Sequence, residues 1–235
     1  METKSVLEQT NLVSQMMRER WDALGFVEAE DGGFATGHMP SEAPTAYLCR
    51  CYAGLSEEGL VCAEEESGRY LPEPYKDLLR VFNGAQIMGI SLLGATMGIN
   101  PRSLEDPIGQ PISISYQNLY YLRPEYIPEG HFGFGTMNGD WYSQGQLYLN
   151  STGEVELYHR DFDLVGASWP SLSRFLEDEV SRQMTRYRDD GTEIAEVSPL
   201  PGDTKDWERL AKQAEDSRSP DIGILDRLKN VFFRQ

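Results

Sequence analysis

Residues Leu71–Gly84 read LPEPYKDLLRVFNG, and this stretch decides the fold. Pro72 stands where a helix tolerates proline, because the N–H it lacks is one that the first turn leaves unpaired anyway. Tyr75, Leu78, Leu79 and Phe82 then recur at i, i+3, i+4 and i+7, which gathers four large apolar groups on one helical face. Asn83-Gly84 follows, and both residues tolerate the left-handed backbone of a helix C-cap. The pattern predicts an amphipathic helix over Pro72–Phe82, with Asn83 read as part of its cap ahead of any partner contact. Ile87–Leu93, apolar and bounded by glycines, reads as one buried strand.

Upstream, Val6, Val13, Met17, Trp21 and Leu24 recur at helical spacing, and Gly25 stops a helix over residues 4–24. Glu28–Pro44 is rich in Gly, Pro and acids and reads as loop. Thr45–Ala53 reads as a short strand. A second helical piece runs from Ser56 toward Glu66, with Glu57 and Glu58 at its positive end.

Downstream, Gly94–Pro111 carries four turn formers and reads as an inserted loop. Ser113–Leu122 fits a helix face through Ile114, Asn118, Tyr121 and Leu122. His131–Thr136 reads as a strand. Gln146–Leu149 and Val155–Tyr158 alternate around Asn150–Gly153, which predicts a hairpin. Leu172, Phe175, Leu176, Val180, Met184 and Tyr187 mark a long helix with Pro170 near its start and Asp189-Asp190-Gly191 at its close. Ser198–Gly202 reads as a linker, and residues 207–214 and 222–233 as two short helices. Strands do not alternate regularly with helices, so the class is α+β: a central, mostly antiparallel or mixed sheet flanked by helices, with extra helices at both ends.

The chain has 235 residues, 38 acidic against 21 basic side chains, and a formal net charge of −17. Nucleic-acid phosphates repel such a surface unless a basic patch overrides it. The densest basic cluster, Arg182, Arg186 and Arg188, lies among acids. The balance favours solubility and basic protein partners. Three cysteines, Cys49, Cys51 and Cys62, and a polar first stretch point to a reducing, cytoplasmic setting. No apolar run reaches the roughly 18 residues of a membrane span.

The motifs that hint at chemistry dissolve on inspection. His159-Arg160-Asp161 copies the start of a kinase catalytic loop, but the other kinase elements are missing. Gly133, Gly135 and Gly139 miss the dinucleotide-binding spacing by one residue. Cys49, Cys51, Cys62 and His38 would be needed together for zinc, and buried free thiols are the commoner reading. Asp161 and Asp163 with Glu154 and Glu156 would pair as acid and base, or stand as solvated carboxylates. The expectation is no catalytic residue, no cofactor and no metal.

Taken together, LPEPYKDLLRVFNG, the strand after it, the hairpin QLYLNSTGEVELYH and the closing ASWPSLSRFLEDEV resemble the SUKH superfamily in order and spacing. The similar part covers roughly residues 56–187. Trp169-Pro170, the insert Gly94–Pro111 and the C-terminal extension depart from the common pattern. The resemblance implies an α+β fold with a central sheet flanked by helices. With the change of composition beyond Gly191, the expected division is a SUKH-like domain over residues 1–190 and a helical extension over 191–235. It also implies action by protein binding. Bacterial members are thought to be immunity proteins that neutralise nuclease or deaminase toxins, and fungal members regulate cell-wall assembly. The expected partner is therefore a protein, a basic toxin domain by charge, with neither nucleic acid nor membrane bound. A regulator or scaffold without a toxin partner, and an enzyme with an unrecognised site, are the alternatives. The candidate partner-binding residues are Asp140, Trp141 and Tyr142 in a glycine-rich loop, and Glu154, Glu156, Asp161 and Asp163 around the hairpin. Trp141 and Tyr142 also fit a strand start packed inward.

Overall fold

The computed structural model describes residues 4–99, 101–103, 105–119, 123–137, 145–160 and 163–202, with 209, 212 and 213. The helices are α1 (Val6–Arg20), α2 (Glu57–Ser67), α3 (Glu73–Val81) and α4 (Leu172–Met184). The strands are β1 (Phe26–Glu28), β2 (Phe34–His38), β3 (Tyr47–Ala53), β4 (Phe82–Ile87), β5 (Ile90–Leu92), β6 (Phe132–Met137), β7 (Gly145–Leu149), β8 (Val155–His159) and β9 (Val165–Trp169). All nine form one sheet in which each strand pairs antiparallel with its sequence neighbour, in the order β1 to β9. The α+β expectation holds.

Local sequence starts each helix where it begins. Ser5 and Glu8 form a reciprocal capping box, with Glu8 N–H donating to Ser5 Oγ at 3.2 Å and Ser5 N–H to Glu8 Oε2 at 2.9 Å. Ser56 accepts from the Gly59 N–H and Ser171 from the Arg174 N–H, so α2 and α4 are capped as well. The apolar stripes bury as spaced: Val13 and Met17 of α1, Tyr75, Leu78 and Leu79 of α3, and Phe175, Leu176 and Val180 of α4. α1 packs against both α3 and α4.

These helices cover one face of the sheet. Register lines the inward residues into rows, Cys49–Ile87–Ile90–Met137 and Cys51–Ala85–Leu92. Each fully buried Leu or Ile contributes about 2 kcal/mol. The opposite face carries a polar row, Arg50, Gln86, Ser91, Thr136, Gln146 and Tyr158. Ile108 covers it at one end, on Ala35 and Tyr52, and Ile127 at the other, on Tyr148 and Tyr158.

Several segments differ from their sequence reading. Glu28–Pro44 holds β2, which pairs with β1 and β3. Ile87–Leu93 is not one strand but the end of β4 and the whole of β5, joined by a tight turn at Met88-Gly89 with Met88 at φ 54. Ser113–Leu122 contains a short 3-10 turn, Ile114–Gln117, and residues 120–122 lie outside the described set. β9 follows the predicted hairpin and forms the last edge of the sheet. Ser198–Leu200 lies on α4: Arg182 and Gln183 donate to Ser198 and Pro199 carbonyls, and Leu200 is buried. The helical candidates 207–214 and 222–233 fall almost wholly outside the described residues.

Asn83 is no helix cap. α3 passes directly into β4, and Asn83 sits inside that strand. Its amide accepts from the Ala95 N–H at 2.7 Å and donates to the Ala95 carbonyl at 2.8 Å. Gln117 and Asn118 treat Gly135 and Gly133 the same way. Each side-chain amide replaces a strand partner near where the chain between β5 and β6 leaves the sheet, so the backbone groups of Ala95, Gly133 and Gly135 are bonded there. Asn83→Ala is expected to cost about 2 kcal/mol, because both Ala95 groups stay buried without partners. A urea midpoint within error of the parent would refute that role.

Candidate functional site

The residues between β5 and β6 build one wall of a cleft. The chain leaves the sheet at Gly94 and returns at Ser113, where Gly94 N–H donates to the Ile112 carbonyl and Ile114 N–H to the Gly94 carbonyl. The excursion is therefore a closed-neck loop. Gly94 is required by space: a Cβ there would lie 2.2 Å from the Asn83 carbonyl oxygen.

Glu66 of α2 locks the neck. Its carboxylate accepts from the Thr96 N–H and hydroxyl, each at 2.7 Å, from the Met97 N–H at 2.8 Å, and from the Ser113 hydroxyl. Burial alone would raise its pKa, but these bonds outweigh it and hold the carboxyl below its ordinary value. Glu64 does a second job on the same helix: it pairs with Lys76 at 2.9 Å and accepts from the Leu71 N–H, fixing α2 to the start of α3.

The body of the loop folds back over the sheet. Arg50 donates to the Pro107 carbonyl, and Arg102 is held between Asp31 and Asp106. A cleft of about 420 Å³ is left between this loop and the first turns of α2. Ser56, Glu58 and Cys62 line it from α2, Met97 and Arg102 from the loop, and Tyr52 and Asn83 from the sheet. Burial pushes the Tyr52 hydroxyl up to about 12. Among the described lining residues there is no histidine, so Cys62 has no imidazole base beside it. The cleft is built to receive a group by contact: its one described cation is already held by two carboxylates, and Asn83 is tied to Ala95.

The sequence-derived candidates lie elsewhere. Asp140, Trp141, Tyr142 and Asp161 fall outside the described residues. Glu154 is exposed in the β7–β8 turn, where its carboxylate accepts from Asn150 Nδ2 and the Thr152 hydroxyl, both at 3.0 Å. Glu156, on β8, accepts from Asn150 at 3.0 Å and meets His131 Nε2 at 2.8 Å. Burial would raise the Glu156 pKa, and the Asn150, His131 and Tyr158 contacts bring it below the ordinary value. Asp163 is exposed beyond the other end of β8. The structure thus joins Glu154 and Glu156 through Asn150 and leaves Asp163 at the opposite end of the strand.

Cys49 and Cys51 lie buried in β3, where burial pushes Cys49 up to about 12 and Cys51 also upward. Cys62 stands apart on α2, in the cleft. Gly133 and Gly135 are strand residues of β6. Among the described residues no helix is long and apolar enough to cross a membrane.

Glu66 and the cleft were not singled out by the sequence reading. Leu60, Ala63 and Glu66 recur at three-residue steps, and all three are buried. That spacing is the signal that separates Glu66 from the exposed acids around it. A family model described as SMI1 / KNR4 family (SUKH-1) matches residues 54–178, a span that contains α2, the loop and its neck. No curated protein matches the chain.

Proposed function

The chain belongs to the SMI1 / KNR4 family (SUKH-1), and from that membership we propose that it works by binding a protein, without a chemical step, as an immunity protein for a basic toxin domain. The observation that carries this reading is how the fold distributes charge. Arg18, Arg20, Lys76, Arg80, Arg102, Arg174, Arg182 and Arg186 are each engaged by carboxylates of the same chain. With 38 acids against 21 bases, the remainder is a surplus of negative charge on the surface. Such a surface accelerates encounter with a cationic partner and disfavours nucleic acid. Asp140, Trp141, Tyr142, Glu154, Glu156, Asp161 and Asp163 belong to this proposal as an acidic and aromatic contact set. The cytoplasm is the proposed location, where the three thiols stay reduced.

A tagged full-length chain incubated with an extract of its source cells, washed at low and then at high salt, tests the reading. The expected result is one basic protein retained at low salt and lost about tenfold or more on raising salt to roughly 1 M, where the screening length falls to about 3 Å. Retention of a salt-insensitive set of housekeeping proteins would favour a regulator or scaffold. Retention of nothing specific would sink protein binding as the mode of action.

A further inference from the structure

Seven large apolar side chains are exposed among the described residues, and five of them belong to α2 and the segments tied to it: Val61, Tyr70, Met97, Ile112 and Tyr116. The other two, Leu7 and Val165, sit apart on α1 and β9. Val61 is 55% exposed and neighbours the cleft-lining Cys62. Met97 is 50% exposed and lines the cleft itself. Ile112 lies between Pro111, another cleft residue, and Ser113, whose hydroxyl binds Glu66. Tyr116 is on the 3-10 turn that packs on α2.

One buried carboxylate thus fixes both ends of the loop that presents Met97, Ile112 and Tyr116. Apolar groups held in place in this way bring little ordering cost to an association. They also sit on α2 or on segments that Glu66 and the 3-10 turn join to it, whereas singly scattered exposed apolar residues carry no such meaning.

The charges around them are mostly acidic; the cation beside Tyr70, Arg69, donates its guanidinium N–H groups to the Asn118 and Glu129 carbonyls. Glu58 lines the cleft and Glu65 is exposed one turn along from Val61. Glu105 is exposed on the loop. Among the described residues none of the three is in an ion pair, whereas the cation of the cleft, Arg102, is engaged by Asp31 and Asp106. A second copy of this chain, at a net −17, would meet like charge here.

We propose that the face formed by α2 and the 94–116 segment is where the protein partner seats, and that the seated segment carries lysine or arginine among apolar side chains. A cationic side chain enters the cleft toward Glu58, and apolar neighbours cover Val61, Met97, Ile112 and Tyr116. The proposal rests on the protein-binding reading above and adds its location and the chemistry of the partner.

The test places a benzoylphenylalanine photo-crosslinker in the full chain, one position at a time, at Val61 and Tyr116, with Leu7 and Val165 as controls. Each variant is irradiated in an extract of the source cells, and crosslinked peptides are sequenced by mass spectrometry. The expected result is a yield from positions 61 and 116 about tenfold above the controls, all to one partner segment holding Lys or Arg beside apolar residues. Crosslinks mainly from position 7 or 165, to a second copy of this chain, or to a segment without basic residues would overturn the location or the chemistry. The protein-binding reading survives those outcomes whenever the salt-washed retention experiment succeeds. Absence of crosslinks at all four positions alongside successful retention overturns the proposal alone. Absence of both crosslinks and retention overturns the proposal and the reading together.

Discussion

Gly84→Ala is expected to lower the stability of the fold by about 2–5 kcal/mol, from left-handed backbone strain of about 1–2 kcal/mol and overpacking of about 1–3 kcal/mol. Gly84 holds φ at +76, a conformation that costs any residue with a Cβ. A Cβ there would also stand 2.7 Å from the Leu92 carbonyl oxygen and 2.8 Å from that of Leu93. Neither oxygen is free to retreat. Leu93 N–H donates to the Phe134 carbonyl, and the buried Tyr75 hydroxyl donates to the Leu93 carbonyl and, at 3.2 Å, to that of Phe134. Relief at Gly84 therefore means parting β4 from β5, or β5 from β6. Urea unfolding followed by tryptophan fluorescence measures it, with the midpoint falling and the slope unchanged. A midpoint equal to the parent's would show that the strands separate without cost.

The second large effect belongs to Glu66. Glu66→Gln keeps the shape of the side chain but points an NH2 group at some of the four donors that now share a carboxylate. The expected loss near pH 7 is about 3 kcal/mol, since hydrogen bonds to a charged group contribute about 1.5–3 kcal/mol each and unsatisfied buried donors add to the deficit. The sign with pH follows from the depressed folded-state pKa. The contribution of Glu66 is fully present above the ordinary 4.5 of the unfolded chain and is lost as pH falls through the lower folded value. The gap between parent and Glu66→Gln should thus be widest at neutral pH and narrow progressively below 4.5. Glu65→Gln, one residue away and exposed, is the control and should shift the midpoint by less than about 0.5 kcal/mol. A parent–variant gap that stays constant down to acid pH would mean that the carboxylate's charge plays no part in closing the neck.

Much of this fold is legible in the sequence because its strongest signals are periodic. The α3 stripe, the α4 stripe as far as Met184 and the hairpin strands β7 and β8 fall where the sequence places them. The helix read through to Tyr187 ends at Met184, and Tyr187 instead bridges to Glu193. Strands built of small residues escaped. β9 is Val-Gly-Ala-Ser-Trp and β2 is Phe-Ala-Thr-Gly-His, with glycines where large apolar groups would mark alternation. What makes them strands is the neighbour each pairs with, a tertiary cause that no local window contains. Asn83-Gly84 misled for a related reason. Both residues suit a helix end, but the chain uses them to enter a strand, with Asn83 completing the bonding of distant Ala95. Charge and position mark the acids of the hairpin as candidate contacts, and sequence alone does not show which of them also serve the turn. In Glu154 the structure finds a turn fastener. The cleft was legible only as a loop of unusual length, since its walls come from segments far apart in the chain.

The order of the sheet has a consequence for how the molecule assembles. Every strand pairs with the one made immediately before it, so most of the sheet can zip along as the chain is synthesised, with short loops to close except between β3 and β4, where α2 and α3 intervene, and between β5 and β6. The outer helices obey a different timetable. α1 comes first yet packs on α4, and the Ser173 hydroxyl reaches back to the Lys4 carbonyl across the whole length of the sheet's construction. Until α4 emerges, one flank of α1 has no partner, so the contact that ties α1 to α4 waits for all nine described strands to be made. Destabilising that seam should leave the growth of the sheet untouched and appear almost entirely as faster opening of the finished protein.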